Sequence, residues 1–465
     1  MTRPLTTVDV ALPLPIHHTF TYGVEGDAPP EGTRVLVPFR RDERIGWVVG
    51  SGSRAPLKGL KSVLAILDER PSAPTDLIAL CRWMSEYYVA PLGIALRAAL
   101  PAVLSDVSRD YVTLAGPVAG RLKPREQRIM DWLSGSEGPQ GVRTMRRALG
   151  MGSIWAELRT LTARGALTHQ TVPPAGPPVK TRKVVRLVRH LGTLVEREHT
   201  FGRAGRQREA YELLEASGGS ADLGHLTGTE GFSRTVVSGL EEKGLVELRD
   251  EQEFRDPFAG VPATRPPDLT PTEHQRRAIS QLVAGLDEEA PRPFLLQGIT
   301  GSGKTLVYIE LLREVLARGR TAVVLVPEIS LTPQTVSRFR SHFGDEVAVL
   351  HSGLSDGERY DAWRRLRSGE RHIAVGARSA LFAPLDGLGA VVVDEEHDGS
   401  YKQSEAPRYL ARDLAVMRAK AHGAVCVLGS ATPSLESWHN ARAGKFRHLV
   451  LQSRRRRRCA QCARR

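Results

Sequence analysis

Gly298-Ile-Thr-Gly-Ser-Gly-Lys-Thr305 fits the phosphate-binding pattern G-x-x-x-x-G-K-[ST], and its neighbours put it where such a loop belongs. A short apolar strand, Phe294-Leu-Leu-Gln-Gly298, comes before it. A helical stretch from Leu306 to Arg318 comes after it, with Leu311, Leu312, Val315 and Leu316 on its apolar side. In a strand–loop–helix setting, glycines let consecutive backbone N–H groups curl around phosphate oxygens, and the helix N-terminus adds partial positive charge. Gly298, Thr300, Gly301, Ser302, Gly303, Lys304 and Thr305 are therefore candidates for ATP binding. Lys304 suits the β- and γ-phosphates, and the Thr305 hydroxyl suits Mg²⁺.

Downstream, short apolar runs alternate with helical segments: Thr321–Pro327, Val347–His351, His372–Gly376, Ala390–Asp394 and Ala424–Gly429. That pattern predicts parallel strands buried on both faces. The fourth run ends in Asp394-Glu395-Glu396-His397. An Asp at the carboxyl end of such a strand can hold Mg²⁺ beside the phosphate loop, and a neighbouring carboxylate can orient an attacking water. The bland alternative is a charged strand end of the kind any α/β surface carries, but with the loop upstream the two halves make one site.

Further segments span much of Thr270 to Ser434. They include Thr270-Pro-Thr-Glu-His-Gln275, Pro327-Glu-Ile-Ser-Leu-Thr-Pro-Gln334 and His351-Ser-Gly-Leu-Ser-Asp-Gly-Glu-Arg359. Others are Gly376-Ala-Arg-Ser-Ala-Leu-Phe-Ala-Pro384, Asp394-Glu-Glu-His-Asp-Gly-Ser-Tyr-Lys-Gln403 and Gly429-Ser-Ala-Thr-Pro-Ser434. Through them the chain resembles superfamily 2 helicases, more narrowly the PriA (primosomal protein N′) family. The DEAH-like box, with its Asp-Glu-Glu-His-Asp extension and Ser-Tyr-Lys-Gln behind it, separates that family from generic DEAH proteins.

The resemblance implies roles residue by residue. Gln275 would read adenine; Lys304 and Thr305 would contact phosphate and Mg²⁺; Asp394 and Glu395 would hold the metal and orient water. Thr432, in Ser430-Ala431-Thr432, would couple hydrolysis to movement on DNA. Tyr401 and Arg408 resemble the family's aromatic-rich loop, which senses single-stranded DNA, although an ordinary surface loop would read the same way. The N-terminal segment also resembles the family, through Val10-Ala-Leu-Pro-Leu-Pro15, Arg34-Val-Leu-Val-Pro-Phe39, Glu43-Arg-Ile-Gly46, and Tyr87-Tyr88 with Pro91-Leu-Gly93. The family uses this domain to hold the 3′ end of a nascent strand. Phe20 and Lys61 keep their places, but Thr21 stands where Asp is common and Arg40 where Gly usually comes after Val-Pro-Phe. A carboxylate accepts from a 3′-hydroxyl more strongly than Thr does. Arg40 either pairs with a phosphate or fills the pocket.

Composition agrees with this reading without deciding it. The chain has 465 residues, room for about three domains, and a formal net charge of +13. Excess basic charge favours polyanions. No apolar run approaches a membrane span, and no basic-then-apolar leader precedes the first strand, so a cytoplasmic setting is expected. Four cysteines do not make a disulfide framework; Cys81 and Cys426 sit in apolar surroundings and read as core.

The expected architecture is a multidomain α/β chain. Residues 1–105 form a β-rich 3′-end DNA-binding domain, with strands at Thr7–Leu12, Thr19–Gly23, Arg34–Pro38 and Gly46–Gly50 and a helix over Thr75–Tyr88. Residues 120–258 read as tandem winged-helix-like α+β modules. Arg125-Glu-Gln-Arg128 through Arg164-Gly-Ala-Leu167 recurs about eighty residues later as Arg206-Gln-Arg-Glu209 through Lys243-Gly-Leu-Val246. Winged helices bind DNA or protein, so both roles stay open. Residues 265–440 are the RecA-like ATP-binding helicase lobe 1, and 441–465 a basic tail.

The expectation for the C-terminus is that the second helicase lobe is missing: the stretch after Thr432 is too short for one, and no Q-x-x-G-R-x-G-R segment appears. The tail Arg454-Arg-Arg-Arg-Arg458-Cys459-Ala-Gln-Cys462 admits three readings. It is a phosphate-touching basic tail, half of a zinc site through Cys459 and Cys462, or the product of a truncated or frameshifted reading frame. The resemblance leaves two functions. One is an ATP-dependent 3′→5′ DNA helicase for replication restart that remodels stalled or branched forks for primosome assembly and reloading of the replicative helicase. The other is a non-motor fork-binding scaffold that binds ATP without productive hydrolysis. Branched and single-stranded DNA, primosome proteins, single-strand binding protein and a helicase loader are the implied partners of a monomer.

Overall fold

The computed structural model describes residues 5–40, 42–52, 59–104, 109–116, 121–136, 138–151, 154–172, 181–252, 255 and 270–451. It divides into two compact units, Met1–Gly176 with Phe258–Arg465, and Pro177–Pro257.

The first unit begins with β1 (Leu5–Ala11), β2 (Phe20–Glu25), β3 (Arg34–Phe39), β4 (Asp42–Ser51) and β5 (Ala65–Ile66), then α1 (Thr75–Tyr87) and α2 (Leu92–Ala99). The five strands form one sheet in the order β2-β1-β4-β3-β5. Val8, Val10, Val35, Val37 and Val48 fill one face of it. Trp47 instead joins Leu77, Ile78, Cys81 and Met84 of α1 and Leu96 of α2. The expected strands and helix are all present.

A small winged-helix-like module comes next: β6 (Arg109–Leu114), α3 (Pro124–Ser134), β7 (Gln140–Gly141), α4 (Val142–Ala148), α5 (Trp155–Ala163) and β8 (Leu167–Val172). Its sheet order is β7-β6-β8, and Ile129, Met145, Leu158 and Leu161 form its core. The second unit repeats the plan by itself. It contains β9 (Thr181–Leu187), α6 (Leu194–Phe201), α7 (Gly205–Ala216), β10 (Ser220–Asp222), α8 (Leu223–Gly228), α9 (Arg234–Glu242) and β11 (Val246–Gln252), with sheet order β10-β9-β11. In both modules the central strand, β6 or β9, precedes the helices from which the repeat was read. β6 lies in the interval left between the first two expected domains. These strands escape a sequence reading because each carries only two or three apolar residues among charged ones.

The remainder of the first unit is a seven-stranded parallel sheet of the RecA-like kind, covered by helices. It runs α10 (Glu273–Gly285), β12 (Phe294–Gly298), α11 (Lys304–Ala317), β13 (Thr321–Leu325), α12 (Pro333–Phe343), β14 (Val347–Leu350) and α13 (Asp356–Arg367). It continues through β15 (Ile373–Gly376), β16 (Leu388–Val393), α14 (Ala411–Ala421), β17 (Val425–Ser430), α15 (Leu435–Arg442) and β18 (Arg447–Leu451). The strand order is β14-β15-β13-β16-β17-β12-β18. β13 to β17 are buried at every residue, as strands covered on both faces must be. On one face Leu296, Val324, Val392 and Val427 pack against α10, α11 and α12. On the other, Leu325, Val393 and Leu428 share one core with α14 and with α1 and α2 of the N-terminal region.

The basic-tail reading of 441–465 is corrected over its first part. β18 pairs with β12 along Phe294↔Arg447 to Gly298↔Leu451. Leu449 and Leu451 point inward while His448 and Val450 face out, the alternation of an edge strand. Its shortness and its place beside an arginine run hide it. Arg454–Arg458, Cys459 and Cys462 lie outside the described residues. Among the described residues, no helix is long and apolar enough to cross a membrane, and no cluster of His, Cys, Asp or Glu is placed to hold a metal ion.

Candidate functional site

The loop between β12 and α11 takes the backbone form its glycines allow. Gly301 and Gly303 have φ of +82° and +87°, and Gly303 caps α11 in the left-handed region. A Cβ on Gly298 would meet Ser302 Oγ at 2.5 Å, and one on Gly303 would meet the Gln275 amide at 2.3 Å. Thr300 and Gly301 are exposed, Thr305 is half-buried, and Ser302 is buried with its hydroxyl unpartnered among the described residues. Lys304 is buried; its ammonium donates to Gly298 O at 3.0 Å and meets Glu395 Oε1 at 3.1 Å. The loop and the acidic strand end are thereby joined.

Asp394 comes directly after β16, its N–H bonded to Leu325 O at 2.9 Å. The Tyr308 hydroxyl donates to Asp394 Oδ1 at 3.0 Å. Burial first, then the neighbouring Glu395 carboxylate, pushes the Asp394 carboxyl above the usual range, against the pull of Tyr308 and Lys304. Glu395 has φ of +47°, a strained backbone for a non-glycine residue. Two carboxylates beside a buried lysine and an unpartnered Ser302 hydroxyl fit a Mg²⁺–nucleotide better than a plain charged surface. Asp394 and Thr305 are the residues that would hold Mg²⁺, and Lys304 with the loop N–H groups would hold the phosphates.

Gln275 does not sit as an open adenine reader in this conformation. It is 1% exposed, and both ends of its amide are engaged. Its oxygen accepts from Thr272 N at 2.8 Å, closing the N-terminal box of α10, and its nitrogen donates to Ser302 O at 2.8 Å. It braces the phosphate loop.

The next two residues of the acidic run, which carried no expected role, tie the site to the segment after β17. Glu396 is 1% exposed. Its carboxylate accepts from Ser434 N at 2.7 Å, Arg412 Nη1 at 2.9 Å, and the Ser434 and Ser437 hydroxyls at 3.0 Å each. His397 Nδ1 lies 2.8 Å from Ser430 Oγ, which also accepts from Thr432 N at 3.0 Å. The exposed Thr432 side chain is thus held through its backbone, two hydrogen bonds from the acidic run. A sequence signal for Tyr308 existed, since Lys304 and Tyr308 are four apart on one helix face. None existed for Arg412, which reads as an ordinary charged residue in the first turn of α14.

Tyr401 is where expectation and structure part. It is 1% exposed, and its hydroxyl donates to Asp394 O at 2.6 Å, so it packs under the acidic strand end and offers no face to a base. The apolar ring beside a buried strand end outweighs any benefit of exposing it. Arg408 is exposed, its Nε donating to Ser404 O at 3.1 Å.

In the N-terminal sheet, Phe20 and Phe39 meet edge to face at 5.1 Å, and Arg40 lies over the Phe39 ring at 5.5 Å. Arg40 has φ of +56°, the conformation for which glycine is the unstrained choice. Lys61 is exposed, its ammonium 3.5 Å from Arg40 O. Thr21 pairs across strands with Asp9, and its hydroxyl donates to Asp9 Oδ1 at 2.6 Å. A carboxylate therefore does stand at this place, on the neighbouring strand. A hydroxyl that donates to it becomes a better acceptor for a third group.

Comparison with known proteins bears on both regions. The family model described as the PriA 3′ DNA-binding domain matches residues 9–101, and the one described as DEAD/DEAH box helicase matches 272–441. The chain is 36% identical over 439 residues to replication restart protein PriA of Bacillus subtilis, covering 91% of this chain and 52% of that protein. It is 35% identical to the protein of the same name from Synechocystis, over 94% of this chain and 53% of the relative. For Haemophilus influenzae the figures are 34%, 96% and 52%. The chain thus spans about half the length of these curated relatives. Among solved structures it is similar to RecG bound to a three-way DNA junction, at 23% identity and a TM-score of 0.31 over 39% of this chain and 24% of that one.

Proposed function

Since the chain belongs to the PriA family, we propose that it is a replication restart protein that binds stalled or branched DNA and acts on it as an ATP-dependent 3′→5′ helicase. In this reading residues 1–105 hold the 3′ end of a strand, the two winged-helix-like modules grip duplex arms, and the parallel-sheet lobe binds Mg²⁺–ATP. The observation that carries it is the joined site: Lys304 of the phosphate loop lies 3.1 Å from Glu395, beside the half-buried Asp394. Lys304 and the loop N–H groups bind the phosphates, Asp394 and Thr305 hold Mg²⁺, and Glu395 takes the proton of, and orients, the attacking water. The His397–Ser430 and Glu396–Ser434 bonds pass a change at the acidic run to the segment carrying Thr432. Primosome proteins, single-strand binding protein and a loader of the replicative helicase are the partners this role calls for, in the cytoplasm.

A second reading is a fork-binding scaffold that binds ATP without productive turnover: the Glu395 carboxylate lies 3.1 Å from the Lys304 ammonium, paired with it and so not free to take a proton from water. The separating experiment is ATP hydrolysis stimulated by forked DNA, wild type against Lys304→Ala. The helicase reading expects stimulated turnover that the variant loses. Fork binding with turnover no higher than the variant's leaves the scaffold.

A further inference from the structure

An aromatic surface other than the one the sequence suggested adjoins the loop that follows the acidic run. Tyr401 is buried, but the end of α1 presents another. Trp83 and Tyr87, four apart on one helix face, stack at 4.7 Å between ring centroids with planes 14° apart. Tyr88 meets Tyr87 edge-on at 4.9 Å. Tyr87 is 62% exposed and Val89, next in the turn, 76% exposed. The inward side of α1, with Leu77, Cys81 and Met84, is spent on the core, and half-buried Trp83 packs against that core too, so Tyr87 is the ring of the pair that is left in solvent.

Its position is fixed by Tyr88. The Tyr88 hydroxyl accepts from Leu410 N and donates to Asp413 Oδ2, both at 3.2 Å. Leu410 bridges to Lys402, and Lys402 and Arg408 are exposed cations of that same loop. The aromatic pair is therefore hydrogen-bonded, through its neighbour, to a loop that begins with Tyr401 on Asp394 and ends at Arg412 on Glu396.

We propose that Trp83 and Tyr87 form a stacking platform for an unpaired base of single-stranded DNA, with Lys402 and Arg408 serving the adjacent phosphates. A flat aromatic pair with its outer ring in solvent, beside exposed cations, is the composition that sequence-tolerant single-strand sites use. Glu86, exposed on the same helix, sets a limit on how many phosphates approach from that side. The platform supplies the aromatic contact from the N-terminal region, next to the loop that carries the ATP site's Tyr401. The proposal rests on the reading that this chain binds DNA.

The test is the affinity of the full chain for fluorescently labelled oligo(dT), with blunt duplex of the same length as reference. Tyr87 is mostly in solvent, so Tyr87→Ala spares the core. Stacking one base on an aromatic ring predicts that Tyr87→Ala weakens oligo(dT) binding by about 5- to 150-fold. Blunt-duplex affinity should hold, and Tyr87→Trp should retain single-strand affinity. Lys402→Ala with Arg408→Ala should flatten the salt dependence, which Tyr87→Ala leaves unchanged. Unchanged oligo(dT) affinity in Tyr87→Ala, or equal losses for single strand and duplex, overturns the platform. Wild type that binds neither DNA overturns the DNA-binding reading itself.

Discussion

Replacing Glu396 by Gln removes one charge from the most densely bonded side chain near the candidate site. Its carboxylate takes four hydrogen bonds, from Arg412, Ser434 N, and the Ser434 and Ser437 hydroxyls, at 2.7 to 3.0 Å. Arg412 is 8% exposed, so losing its main partner strands a cation in a dry place. Breaking one side of a buried pair costs about 3–5 kcal/mol. Arg412 keeps Asp413 at 3.5 Å and Glu436 at 3.7 Å, the latter carboxylate largely in solvent, which puts the expected cost near the lower end, about 3 kcal/mol. The loss should be local, because Ser434 caps α15 and Ser437 lies in its first turn. Hydrogen exchange read by mass spectrometry resolves it. At about 1.4 kcal/mol per tenfold, amides from Ser430 to Arg442 should exchange on the order of a hundredfold faster, while β14 and β15 at the far edge of the sheet stay protected. Glu396→Leu combined with Arg412→Leu should cost less than the sum of the single changes, since neither charge is then left alone. A change below threefold in that segment, or one spread evenly over the sheet, would rule out Glu396 as the tie between the acidic run and α15.

Two further outcomes rest on the same geometry. Burial and Glu395 raise the Asp394 pKa, so its stabilising form is the protonated one, fully present below about pH 3.9, the ordinary Asp value, and lost as pH rises through the raised value. At neutral pH the ligand-free protein carries that penalty. Asp394→Asn should therefore raise ligand-free thermal stability by on the order of 1 kcal/mol while abolishing the stabilisation given by Mg²⁺–ATP; a lower melting temperature without ligand would argue against this. In the N-terminal sheet, Thr21→Val keeps the shape and removes the hydroxyl that bridges to Asp9. The preference for a 3′-hydroxyl over a 3′-phosphate terminus, read by competition between otherwise identical oligonucleotides, should fall about tenfold, the scale of one charge-assisted hydrogen bond; an unchanged preference would exclude Thr21 as a contact.

The parts legible in the sequence were those whose cause is local. Glycine spacing, Lys304 and the strand ahead of them mark the loop, and continuous apolar runs such as Val391-Val-Val393 mark strands buried on both faces. What stayed hidden depends on partners far along the chain. Glu396 looks like any charged strand end until Arg412, Ser434 and Ser437 are brought to it. Tyr401, in a run of Gly, Ser, Lys and Gln, reads as exposed, and only the packing under β16 shows it buried. β6 and β9 lack the apolar content to declare themselves and gain their strand form from pairing with a neighbour, while β18 is hidden by its shortness and the arginine run beside it. The Thr21–Asp9 pair needed the cross-strand register.

Everything proposed for the parallel-sheet lobe depends on Gly298–Thr305 and Asp394 forming one Mg²⁺–nucleotide site with Lys304 at its centre. Calorimetric titration of the full chain with a non-hydrolysable ATP analogue, with and without Mg²⁺, puts that dependence to the test. One site is expected on the wild type, with an affinity that falls at least about tenfold in Lys304→Ala and on removal of Mg²⁺. Equal affinity in wild type and Lys304→Ala, with no dependence on Mg²⁺, would mean that the nucleotide binds elsewhere or not at all.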